Sequence, residues 1–192
     1  MKNICLFCGS NSGNTEIYAA ATRAMVRAIA DAGLGIIFGG GNIGLMGVVA
    51  EAGLAAGVRV VGVTPRRLLE REMVVTELNE LHVVESMHER KVMMAEMADA
   101  FIALPGGMGT LDEFFEMVTL NQLGVQSKPC GLLNVQGYFD HLRAFLDHAV
   151  DTRFVNPAHR DMIVLDEDPR RMLAKLSRWT MPQTSKWMDH KP

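Results

Sequence analysis

The sequence predicts an α/β fold: a Rossmann-like, doubly wound and mostly parallel sheet with helices on both faces. Short apolar segments alternate with longer segments whose apolar residues recur at helical spacing, which is typical of βαβ units joined by right-handed crossovers. The short segments are almost uniformly apolar, as strands covered on both faces are. With 192 residues, 48% of them hydrophobic, the chain is long enough to bury one substantial core.

The predicted elements follow one another in strict alternation. The first three strands, at residues 3–7, 35–38 and 59–63, are each followed by a helix, at residues 14–32, 43–56 and 67–71. The next four strands, at residues 81–84, 100–104, 129–134 and 163–165, precede helices at residues 87–97, 111–123, 139–150 and 169–178. No repeat or proline-rich linker interrupts this order, so we expect one domain over residues 1–179 and a loosely docked polar tail over residues 180–192.

Charge and hydropathy exclude several kinds of partner. The net charge of −3 and the pI of about 6.1 give no general attraction to nucleic acid, so an anion site must come from a local concentration of donors. No apolar run approaches the roughly 20 residues that span a bilayer, and residues 1–10 become polar too soon for a signal peptide. We therefore expect a cytoplasmic protein that binds neither nucleic acid nor membranes.

The cysteines and histidines do not indicate redox or metal chemistry. Cys5 and Cys8 form a C-x-x-C pair, but redox pairs lie at a helix N-terminus. Residues 4–8 instead have the pattern of a strand and its end, in which residues three apart face opposite sides. We interpret both cysteines, and Cys130 in another apolar run, as buried core residues. The six histidines show no metal-ligand spacing, so we predict no metal site.

Four polar or glycine-rich loops follow predicted strands, at residues 9–13, 39–47, 64–67 and 105–110. The carboxyl ends of parallel strands share one edge of the sheet, so these loops are expected to form a single crevice. Residues 39–44 satisfy G-x-G-x-x-G, but the next strand is followed by Arg66 and Arg67 rather than by an acid for a ribose hydroxyl. This run is open to three interpretations: an NAD site, a site for a mononucleotide or other phosphate ligand, and a structural turn.

Residues 104–113 join an apolar strand, a glycine turn and an acidic helix start. The glycines let backbone N–H groups approach a ligand closely, and the positive end of the following helix favours phosphate. Thr110 and Glu113 also match a capping box, in which Glu113 would bond the start of its own helix. The local sequence is compatible with either a capping or a catalytic role for Glu113.

Residues 86–91 open another predicted helix. Ser86 and Glu89 form a capping box, but Arg90 and Lys91 place two cations near a helix start, where the macrodipole disfavours each by roughly a few tenths of a kcal/mol or more. Residues that oppose the local preference of a helix start in this way are typical of functional sites, so Arg90 and Lys91 are candidate site residues. The alternative is that both side chains reach solvent or pair with nearby acids.

Taken together, the string Pro105-Gly106-Gly107-x-Gly109-Thr110-x-x-Glu113 and residues 87–91 resemble the paired signatures of the Lonely Guy (LOG) family. Members of this family are cytokinin riboside 5′-monophosphate phosphoribohydrolases, long mislabelled as lysine decarboxylases. The resemblance runs from about residue 4 to residue 155 and includes residues 39–47, 62–66 and 131–134. It covers most of the chain.

The resemblance implies hydrolysis of the N-glycosidic bond of an adenine-type nucleoside 5′-monophosphate, either a cytokinin nucleotide or AMP, to free base and ribose 5-phosphate. It implies no cofactor and a catalytic pair formed by Arg90 and Glu113. The implied substrate contacts are Glu72, Arg90, Lys91, Gly106, Gly107, Met108, Gly109, Thr110, Leu111, Asp112 and Thr119. Further nucleotide contacts expected in the same crevice are Ser10, Gly40, Gly41 and Met46.

The chemistry fits these residue types. Cleavage builds positive charge on the ribose, so the Glu113 carboxylate would stabilise the transition state while Arg90 fixes the substrate and keeps the carboxylate ionised. No lysine has the sequence context of a pyridoxal phosphate site. The resemblance also implies a homodimer with active sites near the interface, for which the apolar helix of residues 111–123 offers a surface. A non-catalytic nucleotide-binding or carrier module of the same fold is the alternative.

Overall fold

The computed structural model describes residues 1–69, 75 and 77–182, and it confirms the predicted α/β class. The strands are β1 (Asn3–Phe7), β2 (Gly35–Phe38), β3 (Val60–Pro65), β4 (Glu80–Val84), β5 (Ala100–Ala103), β6 (Cys130–Leu133) and β7 (Ile163–Asp166). The helices are α1 (Glu16–Asp31), α2 (Gly44–Ala55), α3 (Arg66–Leu69), α4 (Met87–Met97), α5 (Met108–Gln122), α6 (Asp140–Asp151), α7 (Pro157–Arg160) and α8 (Pro169–Arg178). Residues 70–71 of the third predicted helix and residues 183–192 of the predicted tail lie outside the described residues.

The strands form one sheet in the order β4-β3-β2-β1-β5-β6-β7, and every pairing is parallel. The chain builds outward from β1 in one direction as far as β4, then returns to pair β5 with the other side of β1. The β1–β5 boundary is therefore the topological switch point, where the loops after the two strands diverge to opposite faces and leave a crevice.

The helices cover both faces, so the sheet separates two hydrophobic cores. One core packs apolar residues of α1, α2 and α8 against the sheet, and the other does the same with α4, α5 and α6. Cys8 belongs to the first core and Cys5 and Cys130 to the second, and all three are buried and free, as predicted. Within the described part of the chain, no helix combines the length and apolar character needed to cross a bilayer.

The largest departures from the predicted elements are at three places, and the other described bounds shift by at most two residues. Helix α5 begins at Met108, three residues before its predicted start, because Gly107 takes an extended conformation and starts the helix inside the glycine run. Two single-turn elements had no prediction: α7, which Asn156 caps, and a 3-10 turn at Val135–Gly137. One turn is too short to show a helical apolar period.

Candidate active site

A cavity of about 400 Å³ opens at the carboxyl edge of the sheet, at the β1–β5 switch point. Its size lies within the range of small-molecule sites, roughly 300 to 1,000 Å³. The loop after β1, the start of α2 and the loop after β5 supply most of its wall, and the remainder comes from Tyr18 of α1, Leu68 of α3, Arg90 of α4 and Tyr138 after β6. The structure thus brings together segments that follow six different strands, β1 to β6.

The glycine loop after β5 is held against the loop after β1. The N–H of Gly9 donates to the carbonyl oxygen of Pro105 at 3.1 Å. A Cβ on Gly106 would overlap the Thr110 side chain and lie 2.8 Å from the Gly9 nitrogen, so this approach requires glycine. Helix α5 starts directly after the loop, and the residues of its first turn line the cavity. The N–H groups of a first turn have no partner within the helix and form an anion site.

The alternative role of Glu113 as a helix cap is wrong. The N-cap residue of α5 is Gly107, which puts Thr110 inside the first turn and Glu113 six positions beyond the cap. No side chain caps this N-terminus. The capping-box pattern was misleading because it assumed a helix start at Thr110, whereas the glycine run allows the helix to begin earlier.

Glu113 instead pairs with Arg90 at the cavity. The Arg90 Nη1 atom lies 3.0 Å from Glu113 Oε1, and the two side chains are only 10% and 12% exposed. Arg90 Nε donates to the carbonyl oxygen of Val63 at 3.0 Å, and Nη1 also approaches the sulfur of Met87 at 3.2 Å. Elements α4, α5 and β3 therefore fix one buried ion pair, and both of its members line the cavity.

The electrostatics of the pair favour chemistry at the carboxylate. Burial raises the pKa of Glu113, and the neighbouring Arg90 opposes this rise without cancelling it. A buried carboxyl group with a raised pKa and a fixed cationic partner is typical of catalytic sites. Cys8 also lines the cavity, but burial raises the pKa of its thiol, so it stays protonated near neutral pH and is a poor nucleophile.

The second cation at the start of α4 also pairs with acids. Lys91 Nζ lies 2.6 Å from Glu116 Oε2 and 3.1 Å from Asp112 Oδ2, and the bond to Glu116 raises the pKa of the Lys91 ammonium. Two sets of ion pairs thus join α4 to α5, one through Arg90 and one through Lys91. Both cations therefore pair with nearby acids, as the alternative interpretation expected. Arg90 and its partner Glu113 also line the cavity, whereas Lys91 does not.

The cap predicted at the start of α4 forms at Ser86, but only one of the two bonds of the capping box is present. Ser86 Oγ accepts a hydrogen bond from the Glu89 N–H at 3.1 Å. Glu89 Oε2 accepts its hydrogen bond from the N–H of Glu85, at 3.0 Å, rather than from that of Ser86. The cap fixes the first turn of α4, and with it the position from which Arg90 enters the site.

The predicted contact residues divide into two groups. Those that line the cavity are Ser10, Met46, Arg90, Gly106, Gly107, Met108, Gly109 and Thr110. Those that do not line it are Gly40, Gly41, Lys91, Leu111, Asp112 and Thr119. Thr119 is exposed on α5 and its hydroxyl donates to the carbonyl oxygen of Phe115. Glu72 lies outside the described residues.

The glycine run at residues 39–44 makes close backbone contacts. Gly40 has a φ of +77° and Gly44 a φ of +57°, and a Cβ on Gly44 would overlap the backbone of Ser10 and Asn11. The run therefore packs the loop after β2 against the loop after β1. Of the three interpretations, these contacts favour the structural turn.

Two tyrosines in the cavity wall had no prediction. The Tyr138 hydroxyl donates to the carbonyl oxygen of Gly106 at 2.7 Å, and the rings of Tyr18 and Tyr138 meet edge to face at 5.7 Å. Tyr138 follows the unpredicted turn after β6, where Gln136 has a φ of +51°. The only available signal was the position of an aromatic residue just beyond a predicted strand end. Among the described residues, no cluster of acidic, histidine or cysteine side chains is suited to a metal ion.

Comparison with known families gives one match. The family model described as "Possible lysine decarboxylase" matches residues 46–176, which is more than half of the chain. The matched segment includes Met46, Arg90, the glycine loop and Glu113.

Curated relatives share sequence over nearly the whole chain. The cytokinin riboside 5′-monophosphate phosphoribohydrolase LOG5 of Arabidopsis thaliana is 43% identical over 93% of this chain and 78% of its own length. The enzyme LOG1 of the same plant is also 43% identical, over 91% of this chain and 82% of its own length. The probable enzyme LOGL5 of rice, Oryza sativa subsp. japonica, is 44% identical over 94% of this chain and 74% of its own length.

Solved structures share the fold at low identity. The molybdenum cofactor carrier protein of Chlamydomonas reinhardtii superposes with a TM-score of 0.68 and 19% identity, covering 92% of this chain and 96% of its own. The molybdenum cofactor binding protein of Rippkaea orientalis gives a TM-score of 0.64 and 20% identity, covering 92% and 96% of the two chains. At this identity the likeness shows the fold alone.

Proposed function

We propose a function from the premise that this chain belongs to the LOG family, the family whose model is described as possible lysine decarboxylase. The function is hydrolysis of the N-glycosidic bond of an adenine-type nucleoside 5′-monophosphate to free base and ribose 5-phosphate. The observation that carries the proposal is the buried pair of Arg90 and Glu113, which lines the same cavity as a glycine loop and a helix N-terminus.

In the proposed reaction, Glu113 acts at the ribose. As the bond between C1′ and the base nitrogen breaks, positive charge develops on the sugar, and a nearby carboxylate stabilises that charge more in the transition state than in the ground state. Glu113 also orients or deprotonates the attacking water. Arg90 opposes the effect of burial on Glu113 and so keeps the carboxylate available in its ionised form.

The 5′-phosphate binds at the glycine loop. Gly106, Gly107, Thr110 and the other first-turn residues of α5 line the cavity, so their backbone N–H groups and the Thr110 hydroxyl would be the donors to the phosphate. Contacts at the phosphate are remote from the bond that breaks, so their binding energy positions the ribose against Glu113. This arrangement favours nucleoside monophosphates over nucleosides.

A decarboxylase mechanism through a Schiff-base lysine fits these residues poorly. Such a lysine requires a lowered pKa and access to the substrate. Lys91 is the lysine nearest to the pair in sequence, but it does not line the cavity and its carboxylate partner Glu116 raises its pKa. Among the described residues, no lysine lines the cavity.

Free-base release from AMP tests the role of Glu113. The Glu113→Gln variant removes the charge and keeps the shape, and we expect its rate to fall by about 100-fold or more. Glu51→Gln, the same change at an exposed position of α2 that does not line the cavity, is the matched control and should keep the parent rate. An undiminished rate in Glu113→Gln would show that the catalytic assignment is wrong.

The identity of the base is tested with two substrates. Initial rates of base release are measured separately for AMP and for N6-isopentenyl-AMP. The faster substrate shows whether the enzyme prefers unmodified adenine or an isopentenyl-type base. If the parent protein binds both nucleotides and releases base from neither, it is a non-catalytic binding or carrier module of the same fold.

We also propose a homodimer formed through the outward faces of α4 and α5. The apolar residues of α5 divide between two environments: Phe114 and Met117 are buried in the core, whereas Phe115 and Leu120 are only partly buried. Val92 on α4 is 41% exposed. These side chains lie on the two helices that carry Arg90 and Glu113, so a partner there would lie near the site. A cytoplasmic location remains a prediction.

A further inference from the structure

Gly39 occupies a position where glycine is required for space rather than for backbone conformation. It follows β2 directly and is buried, and it is absent from the residues with positive φ, unlike Gly40 and Gly44 of the same run. Its φ therefore lies outside the left-handed region that favours glycine. A Cβ at this position would overlap Nη2 of Arg90, with Arg90 Cζ at 3.2 Å and the sulfur of Met46 at 3.3 Å.

The Arg90 guanidinium cannot yield to such a methyl group without losing other contacts. Its Nε is bonded to the Val63 carbonyl oxygen at 3.0 Å and its Nη1 lies 3.0 Å from Glu113 Oε1. The guanidinium is planar, so a shift of Nη2 also moves Nε and Nη1. The residue is 8% exposed, and a displaced guanidinium would have to find other partners in a crowded interior.

We propose that Gly39 is a positioning residue, which leaves open the slot that holds Arg90 against Glu113. The first glycine of the G-x-G-x-x-G run thus serves the ion pair and not a phosphate group. This inference deepens the proposed function and rests on it for its catalytic consequence. Its structural consequence, the dependence of the Arg90 position on residue 39, stands on the contacts alone.

A methyl group at residue 39 acts on the site through Arg90. Displacement of the guanidinium leaves the buried Glu113 carboxylate without its cation, and the carboxyl group then favours its neutral form. The three atoms nearest to a Cβ at residue 39 belong to Arg90 and Met46 and not to the glycine loop or α5, so we expect the phosphate end of the cavity to be unchanged. The expected signature is a loss of kcat with little change in the binding of ribose 5-phosphate.

A double-mutant cycle tests the inference. Gly39→Ala, Arg90→Ala and the combined variant are compared with the parent for AMP cleavage, for ribose 5-phosphate binding and for thermal unfolding. We expect Gly39→Ala to lower kcat by about 10-fold or more, and to change kcat by less than about twofold when Arg90 is already alanine. In Gly39→Ala the acid limb of the pH–rate profile should also move to higher pH.

Gly131→Ala is the matched control. Gly131 is a buried strand glycine whose Cβ would also overlap a flexible side chain, with the sulfur of Met172 at 2.5 Å, and neither residue lines the cavity. It should lower the unfolding temperature without lowering kcat. An equal loss of kcat from Gly39→Ala in both backgrounds, or an unchanged kcat in the parent background, would overturn the inference.

The unfolding data separate this inference from the proposed function. If the parent protein cleaves no nucleotide, the proposed function is wrong. The unfolding temperatures of the four proteins in the double-mutant cycle still show whether a side chain at residue 39 and Arg90 compete for space. We expect Gly39→Ala to destabilise the parent more than it destabilises Arg90→Ala. If Gly39→Ala does not fold, recovery of folding in the double variant supports the inference, and failure of both variants contradicts it.

Discussion

At the scale of single residues, Glu113 shows how environment assigns a role that local sequence leaves open. Its spacing from Thr110 in the sequence matches a capping box, but in the structure it forms an ion pair with Arg90. The choice depends on where α5 begins, which the extended conformation of Gly107 decides. Because the helix starts early, Glu113 lies one turn deeper, beside Arg90, and burial governs its titration.

The raised pKa of Glu113 predicts the pH dependence of the reaction. Activity requires the ionised carboxylate, so kcat/KM should rise with pH through a pKa above the ordinary glutamate value of about 4.3. Arg90→Ala removes a cation that lowers this pKa, and its residual activity should show an acid limb at still higher pH. Rates of AMP cleavage across the acid range measure both limbs. An acid limb of the parent at or below the ordinary value would contradict the prediction.

Asp166 predicts a pH-dependent contribution to stability away from the site. Burial opposes ionisation of Asp166, but the bonds from Lys175, from the Asp168 N–H and from Arg171 outweigh it and lower its pKa to about 2. A carboxyl group with a lowered pKa adds stability above its unfolded pKa of about 3.9, and this stability is lost as pH falls towards about 2.

Asp166→Asn should therefore lower the free energy of unfolding by about 1–2 kcal/mol near pH 6, a value reduced because both cations are half exposed. Urea unfolding at several pH values measures the difference, which should shrink below about pH 4 as the parent loses the contribution. Glu167→Gln, at an exposed neighbouring position, is the control and should have little effect at any pH. A difference that does not depend on pH would refute the electrostatic cause.

At the scale of elements, helices with strong start signals were predicted to the residue. Helix α4 spans Met87–Met97 and α8 spans Pro169–Arg178, as expected. Ser86 accepts the predicted bond from the Glu89 N–H, and Asp168, for which no cap was predicted, accepts a bond from the Arg171 N–H. Helix α5 has no side-chain cap, and its start was wrong by three residues. Sequence therefore locates a helix end well where a side chain defines it, and less well where glycine conformation does.

The turn after β6 controls the glycine loop through Tyr138. A trans peptide points its carbonyl and N–H in opposite directions, so the bond from Tyr138 to the Gly106 carbonyl also fixes the direction of the Gly107 N–H. Tyr138→Phe removes one hydrogen bond worth about 1 kcal/mol, and we expect ribose 5-phosphate to bind about fivefold more weakly.

Calorimetric titration with ribose 5-phosphate measures this effect. Tyr18→Phe is the same change in the ring packed against Tyr138, and it should leave the dissociation constant within about twofold of the parent. Equal weakening in the two variants would indicate a general effect of the tyrosine pair instead of control of the loop.

At the scale of the whole molecule, the sequence predicted which loops meet but not which atoms touch. Parallel topology alone places the loops after β1 and β5 at one edge, and the cavity lies there. The contacts of Arg90 with Val63 and Glu113 join residues 27 and 23 positions apart in the chain, and no local pattern encodes such distances. The slot at Gly39 is equally invisible in sequence, since a glycine that makes room for a side chain looks like a glycine in a turn.

The same whole-molecule geometry bears on assembly. In the proposed homodimer, the outward faces of α4 and α5 form the interface. The charge introduced by Val92→Glu would be buried there without a partner, which opposes association. We therefore expect Val92→Glu to be a single chain of 21.1 kDa. Phe145→Glu, the introduction of the same charge at a more exposed apolar residue of α6, should leave the mass at that of two chains. Light scattering across a dilution series measures both. A parent protein of single-chain mass would reject the homodimer outright, and dissociation by Phe145→Glu alone would move the interface to α6.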